Sequence, residues 1–144
     1  MKKVLLLILC ISLFTNAQAA YDKPITFEKL PVASQQFIKK YFPNHKVAIA
    51  KKEIEFIGVS YDVIFTNGDK VEFSKNGDWT EVKCKSSGVP DEIIFPQILS
   101  YVNQNYPDAQ IIEIERKARY TSVELSNKIE LKFNKAFQLI EIDD

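Results

Sequence analysis

The chain has 144 residues, and its 19 lysine and arginine side chains balance 19 carboxylates, so the formal net charge is zero. This balance argues against a nucleic-acid partner, because proteins that bind nucleic acid usually carry a basic excess. The length suits one compact domain or two very small ones, and it is sufficient for a hydrophobic core that needs no disulfide or metal.

Residues 1–19 have the pattern of a secretory signal peptide. Lys2 and Lys3 precede an apolar run over residues 4–14, and Ala17-Gln18-Ala19 has the small-x-small pattern of a cleavage site. The apolar run is shorter than the roughly 20 residues that a membrane span needs. We therefore expect cleavage near Ala19, a periplasmic or secreted location, and no membrane span in the mature chain.

Cleavage would also remove Cys10 and leave Cys84 as the one cysteine, so the mature chain could form no internal disulfide. Cys84 lies between Lys83 and Lys85, whose positive charges would favour a reactive thiolate. The sequence shows no accompanying constellation of catalytic partners. We therefore favour a partly buried, unreactive cysteine near a strand end.

The first half of the chain predicts helix followed by strands. Phe37, Ile38, Tyr41 and Phe42 form one apolar helix face, which Pro43 ends. Strands are then expected over residues 46–52, 61–65, 71–73 and 79–83, with alternation that gives one apolar and one polar face. The Asn67-Gly68 and Asn76-Gly77 pairs predict tight hairpin turns, the first of type I′.

The second half repeats this order. The two hairpins overlay at a shift of 60 residues and the two helices at a shift of 64, which implies four extra residues in the first half, near residues 53–58. Lys128 follows Asn127 where the first half has Gly68, so this turn is expected to be looser or of another type. Ala136-Phe137 likewise replaces Asn76-Gly77.

These patterns predict an α+β fold of two tandem modules, residues 20–85 and 86–144. Each module would consist of a short helical turn and a main helix packed on one face of a roughly four-stranded antiparallel sheet. Two copies are too few for a solenoid, and they are the number expected of a duplicated module.

Four motifs of the first half occur in the same order as in a known family: Leu30-Pro31, the stretch over residues 37–44, Val71-Glu72-Phe73 and the stretch over residues 75–79. In these motifs the chain resembles the PepSY-like, β-lactamase-inhibitor-like family of secreted bacterial proteins. The same motifs recur in degraded form over residues 89–133. The resemblance implies two β-lactamase-inhibitor-protein-like α+β modules whose sheets can join edge to edge, and a role in binding. It supplies no catalytic residues.

The sequence shows no catalytic constellation, so we expect no enzyme activity, no cofactor and no metal site. His45 is the one histidine, which excludes a His-paired metal site and a Ser-His-Asp triad within one chain. We interpret it as a solvated turn residue. The carboxylate pairs Asp69 with Asp78 and Glu113 with Glu115 are interpreted as solvated, since nothing in the sequence indicates that they are buried.

The remaining candidate is the polar face of the sheet, which is either a plain solvated face or a partner-binding surface. The candidate partner-binding residues are Asp62, Ile64, Thr66, Lys70, Glu72, Ser122, Glu124, Ser126, Lys128, Glu130 and Lys132. Tyr120 and Phe137 are candidate interface anchors or packing residues between the halves.

Two functions fit these observations. The first is a secreted or periplasmic, non-enzymatic protein-binding module, inhibitor-like in mode, that contacts an unknown protein partner through the polar face and loops such as residues 53–58. The alternative is a small-molecule or ion sensor, or an envelope-stabilising protein, without a protein target. An aromatic-lined pocket between the halves would favour the alternative.

Overall fold

The computed structural model describes residues 21–144, so the expected signal peptide and its cleavage near Ala19 lie outside the described residues. The helices are α1 (Val32–Tyr41) and α2 (Pro96–Asn105), each preceded by a short 3₁₀ turn. The strands are β1 (Tyr21–Ile25), β2 (Val47–Glu55), β3 (Gly58–Phe65), β4 (Lys70–Ser74), β5 (Trp79–Lys83), β6 (Ile111–Arg116), β7 (Tyr120–Leu125), β8 (Glu130–Asn134) and β9 (Leu139–Asp143).

These nine strands form one antiparallel sheet in which every strand pairs with its neighbours in chain order. The predicted fold class, two tandem modules that each consist of a helix and a roughly four-stranded sheet, is therefore wrong. The two halves share one sheet because β5 pairs with β6, with Val82 opposite Ile114. An additional strand, β1, extends the sheet beyond β2, and its Pro24 is suited to an edge because proline has no N–H to donate to a further strand.

Both helices pack on the same side of this sheet. A row of cross-strand neighbours on that side is almost completely buried, and it consists of Val63, Val71, Val82, Ile114, Val123 and Leu131. On either side of the sheet's centre, α1 places Phe37 edge-on against Phe73, with ring centroids 5.6 Å apart, and α2 places Tyr101 edge-on against Phe133 at 5.5 Å. Each large apolar side chain buried here contributes about 1.5–3 kcal/mol.

The expected burial of Phe65 and Leu125 is confirmed, since both are almost inaccessible to solvent. The predicted turn type is wrong. Among non-glycine residues of the described chain only Lys128 and Phe137 have positive φ, so Asn67 lacks the positive φ that a type I′ turn requires. The Gly68 N–H instead donates to the Phe65 carbonyl, and the Phe65 N–H donates to the Asp69 carbonyl. These two hydrogen bonds define a type I turn followed by one left-handed residue, Gly68.

The corresponding turn in the second half has the same geometry, so the expectation of a looser turn is also wrong. The Lys128 N–H donates to the Leu125 carbonyl and the Leu125 N–H donates to the Ile129 carbonyl. Lys128 takes φ +73°, close to the +90° of Gly68. Only one residue of such a turn has to be left-handed, and a lysine can occupy that position at some cost.

The β2–β3 hairpin is longer than the other hairpins, with strands of nine and eight residues against five or six elsewhere in the sheet. Its end contains the extra residues that the repeat comparison placed near residues 53–58. Neither of the two ten-residue α-helices in the described part of the chain has the length and apolarity needed to cross a membrane.

Candidate functional site

The side of the sheet opposite the helices, here called the open face, carries two rows of directly paired residues that run from β2 to β9 and are polar except for two isoleucines. The first row is Lys51, Asp62, Glu72, Glu81, Glu115, Ser122, Lys132 and Glu141, and the second is Ile49, Ile64, Lys70, Lys83, Glu113, Glu124, Glu130 and Asp143. Together the rows contain nine carboxylates and four ammonium groups.

The open face brings together most of the residues that the sequence proposed for partner binding. Eight of the eleven candidates lie in the two rows: Asp62, Ile64, Lys70, Glu72, Ser122, Glu124, Glu130 and Lys132. The other three lie beyond the strand ends in exposed turns. Thr66 and Ser126 follow β3 and β7, and Lys128 lies in the turn before β8.

Asp62 and Lys70 form the centre of an ion-pair network near β3. The Lys70 ammonium lies 3.5 Å from Asp62, 3.4 Å from Glu72 and 3.2 Å from Glu81. On the other side of Asp62, the Lys51 ammonium lies 3.5 Å from its carboxylate. Burial raises the pKa of Asp62 to about 6, although the neighbouring Lys70 charge opposes the shift.

A second cluster lies where β5 pairs with β6. The Lys83 ammonium is 2.5 Å from Glu113, and the carboxyl groups of Glu81 and Glu113 lie close enough to shift each other's pKa. Burial raises the pKa of Glu113 to about 7. Burial acts in the same direction on Glu81, but the neighbouring Glu113 carboxyl and the Lys70 charge lower the pKa of Glu81 overall. As the pH falls, Glu113 therefore takes up a proton before Glu81 does.

Sequence reasoning missed this cluster. It treated Glu113 as solvated, and it did not propose Glu81 or Lys83 as site residues. The alternation within β5 and β6 places each of these side chains on the polar face, but their proximity depends on the pairing of two strands that lie far apart in the sequence.

His45 and Asp69 also differ from expectation. His45 was interpreted as solvated, but its ring packs against Phe42 and Phe65, with centroids 5.1 Å apart in both cases, and its Nε2 lies 3.2 Å from Asp69. Asp69 is buried, and its carboxylate also accepts a hydrogen bond from the side-chain amide of Asn67 in the tight turn. Within residues 21–144, no group of three or more His, Cys, Asp or Glu side chains is arranged to hold a metal ion.

Aromatic packing fills the junction between the halves on the helix side. The Trp79 ring lies 6.3 Å from both Phe37 and Phe95, and Phe95 lies 5.0 Å from Phe137. The Arg116 guanidinium stacks over Trp79 at 3.9 Å and donates to the Trp79 carbonyl. Phe137 therefore packs between the halves.

Cys84 follows β5 and is almost completely buried. Burial and, to a smaller extent, the nearby Asp69 carboxylate raise the pKa of its thiol to about 12. The two flanking lysines therefore do not produce a reactive thiolate. This agrees with the sequence interpretation, which favoured an unreactive cysteine.

Comparisons with known proteins agree with this architecture. Residues 59–141 match the model of a family described as "Putative beta-lactamase-inhibitor-like, PepSY-like". A crystal structure from Bacteroides thetaiotaomicron, described as a "putative calcium-regulated periplasmic protein", is 53% identical with a TM-score of 0.84, covering 85% of this chain and 97% of that one.

Two structures from Bacteroides vulgatus are also similar. One, described as a "putative periplasmic protein" of the DUF2874 family, is 52% identical with a TM-score of 0.83, and the match covers 85% of this chain and 97% of that one. The other, described as a "putative periplasmic protein of unknown function", is 32% identical with a TM-score of 0.82, and the match covers 86% of this chain and 100% of that one. A search among curated proteins gave no match. No catalytic family is indicated by these comparisons.

Proposed function

Since the chain belongs to the PepSY-like, β-lactamase-inhibitor-like family, we propose that it is a non-enzymatic, protein-binding module of the periplasm whose open face contacts the partner. The periplasmic descriptions of the similar structures support this location. The signal-like residues 1–19 support it independently, because such a segment directs export.

The observation that carries the proposal is the alignment of like charges across the open face. Glu72, Glu81 and Glu115 are direct neighbours on three successive strands. Glu113, Glu124 and Glu130 form a second such series on β6, β7 and β8. Like charges placed directly opposite each other weaken a sheet. Lys70 offsets Glu72 and Glu81, and Lys83 offsets Glu113. Within residues 21–144, however, no ammonium group lies within 4 Å of the Glu124 or Glu130 carboxylate, so stability alone does not account for this arrangement. A basic protein surface would neutralise it.

The dimensions also suit a protein partner. Neighbouring strands lie about 4.8 Å apart, so β2 to β9 span about 34 Å. A standard interface buries about 800 Å² on each partner, which a face of this width accommodates. Complementary charge of this kind accelerates association and selects the partner more than it adds affinity.

We also propose that residues 20–85 and 86–144 arose by duplication within one chain, with residues 1–19 as a cleaved signal peptide. The register irregularity between Glu72 and Phe73 in the β4–β5 pair has a counterpart between Lys132 and Phe133 in the β8–β9 pair. A shared irregularity at equivalent positions supports common ancestry, because bulges tend to be kept within families.

Site-specific photo-crosslinking in intact cells tests the binding function. A photo-reactive amino acid at Glu124, on the open face, should give a discrete protein adduct. The same group at Gln36, exposed on α1 on the opposite side, serves as the matched control. With the photo-reactive group at position 124, the additional changes E113Q/E130Q should remove the adduct if charge recognises the partner. Identical adducts from both positions, or none from Glu124 under several growth conditions, would refute the proposal.

A second candidate is a response to calcium, which one observation favours. The similar Bacteroides thetaiotaomicron protein is described as a "putative calcium-regulated periplasmic protein", and calcium prefers oxygen ligands such as the carboxylates that predominate on the open face. Calcium should then raise the unfolding temperature of this protein more than the same concentration of magnesium does. Equal effects of both ions on the wild-type chain would exclude the candidate.

A further inference from the structure

The end of the β2–β3 hairpin is strongly apolar and exposed. Glu55 pairs with Gly58, and the two residues between them, Phe56 and Ile57, are 96% and 90% exposed. Two-residue hairpin turns usually contain asparagine or glycine, so neither turn geometry nor packing accounts for a phenylalanine and an isoleucine here. Tyr21 and Ile54 pair directly behind the turn and are also exposed, and these four residues are here called the apolar tip.

A groove of about 710 Å³ lies behind the apolar tip. Its apolar and aromatic lining residues are Tyr21, Pro24, Ile25, Ile54 and Tyr61. Three lysines, Lys23, Lys29 and Lys52, complete the lining together with Thr26. Lys23 and Lys52 lie directly opposite each other on β1 and β2. Within residues 21–144, no carboxylate oxygen lies within 4 Å of the ammonium group of any of these three lysines.

We propose that this corner docks on an anionic lipid bilayer, with the apolar tip in the boundary between headgroups and acyl chains and the lysines against lipid phosphates. Charge complementarity favours this occupant, because opposed lysines without carboxylate partners destabilise a strand pair unless anions neutralise them. Basic residues beside an apolar element are also the usual composition of surfaces that bind anionic membranes.

The spacing along β2 suits this arrangement. Lys52 lies four residues before Phe56, or about 13 Å along an extended strand. Interfacial elements bury their apolar residues about 5–10 Å into the headgroup and acyl boundary. At that depth the flexible lysine side chains of Lys23 and Lys52 can extend toward the phosphates, and Tyr21 occupies the interfacial level that tyrosine favours.

The acidic residues of the hairpin determine how it would tilt. Glu53 is neutralised by Lys51, whose ammonium lies 2.5 Å away. Glu55 is exposed next to the turn and alternates onto the open face, where it would repel anionic lipid. The hairpin would therefore lean toward its helix side, which turns the open face away from the membrane and leaves that face free for a protein partner.

Vesicle co-sedimentation tests the docking with the protein purified from the periplasmic fraction. The wild-type protein should bind vesicles of phosphatidylethanolamine and phosphatidylglycerol and should not bind pure phosphatidylcholine. F56S/I57S should reduce the bound-to-free ratio at least tenfold. K23Q/K52Q should reduce it about fivefold and remove its dependence on phosphatidylglycerol, whereas E55Q should increase it.

Val32 provides the matched control, because it is a 68% exposed apolar residue on α1 that belongs neither to the apolar tip nor to the groove lining. V32S should leave vesicle binding unchanged, and equal unfolding midpoints would show that each variant folds. Absence of binding to anionic vesicles, or equal effects of V32S and F56S/I57S, would overturn the proposal. So would a photo-reactive group at Ile57 that gives protein adducts and no lipid adduct. The Glu124 adduct is scored separately, so failure of either proposal is distinguishable from failure of the other.

Discussion

Replacement of Lys128 by glycine should stabilise this protein, although it removes a complete side chain. Lys128 has φ +73°, in the left-handed region, and its side chain is exposed. That conformation costs a non-glycine residue about 1–2 kcal/mol. Glycine avoids this cost but loses about 0.5–1 kcal/mol more conformational entropy on folding. The net expectation is a gain of about 0.5–1 kcal/mol in the free energy of unfolding.

Gly68 provides the reverse experiment in the equivalent turn. It has φ +90°, and no atom lies within 4 Å of the position that a Cβ would occupy. The change G68K should therefore be destabilising by about the same amount for conformational reasons alone, without a clash.

Urea unfolding, followed by far-ultraviolet circular dichroism, measures both changes. K128G should raise the midpoint and G68K should lower it without a change in slope, and in thermal unfolding each change corresponds to a few degrees. A destabilising K128G, or a G68K variant as stable as the wild type, would show that the left-handed backbone does not determine the stability of these turns.

Three further results are expected. G77A should lower the free energy of unfolding, measured in urea, by about 2–4 kcal/mol. Gly77 has φ +89°, and a Cβ at this position would lie 2.8 Å from the Cβ of Pro31. A loss no larger than that of G68A would contradict the predicted clash. Cys84 should react with a thiol reagent at pH 8 only after unfolding, since burial raises its pKa to about 12, and rapid labelling of the native protein would exclude this burial. The pKa of Glu113 is raised from 4.5 to about 7 in the folded protein, so its contribution to stability should be complete below pH 4.5 and decline as the pH rises through 7. The change in unfolding free energy between pH 5 and pH 8 should therefore be less negative in E113Q than in the wild type, and identical pH profiles would contradict this assignment.

Features that depend on neighbouring residues could be predicted from the sequence. The apolar face of α1 and the alternation around Phe65 and Leu125 predicted which side chains are buried, because the periods of helices and strands are local properties. The single sheet could not be predicted in the same way. It depends on Val82 meeting Ile114 across an intervening helix, and the repeat identified equivalent segments without indicating how they join.

The same distinction applies to the candidate site. Alternation placed Asp62 and Glu124 on the polar face, where the structure has them. It could not indicate that Glu81 lies beside Glu113, since this contact exists only after β5 and β6 pair. The pKa of Glu113 therefore differs from that of an isolated glutamate for a reason that depends on the three-dimensional fold.

The formal net charge of zero conceals a separation of charge within the fold. The open face has nine carboxylates against four ammonium groups in its two rows, whereas three lysines without carboxylate partners in the described residues surround the groove behind the apolar tip. Because the sheet separates these regions, a basic partner and an anionic surface can be bound at the same time without competing. Raising the salt concentration should weaken both contacts, since each is electrostatic. Only docking through the apolar tip should retain a component that salt does not screen, because Phe56 and Ile57 would bind lipid by the hydrophobic effect.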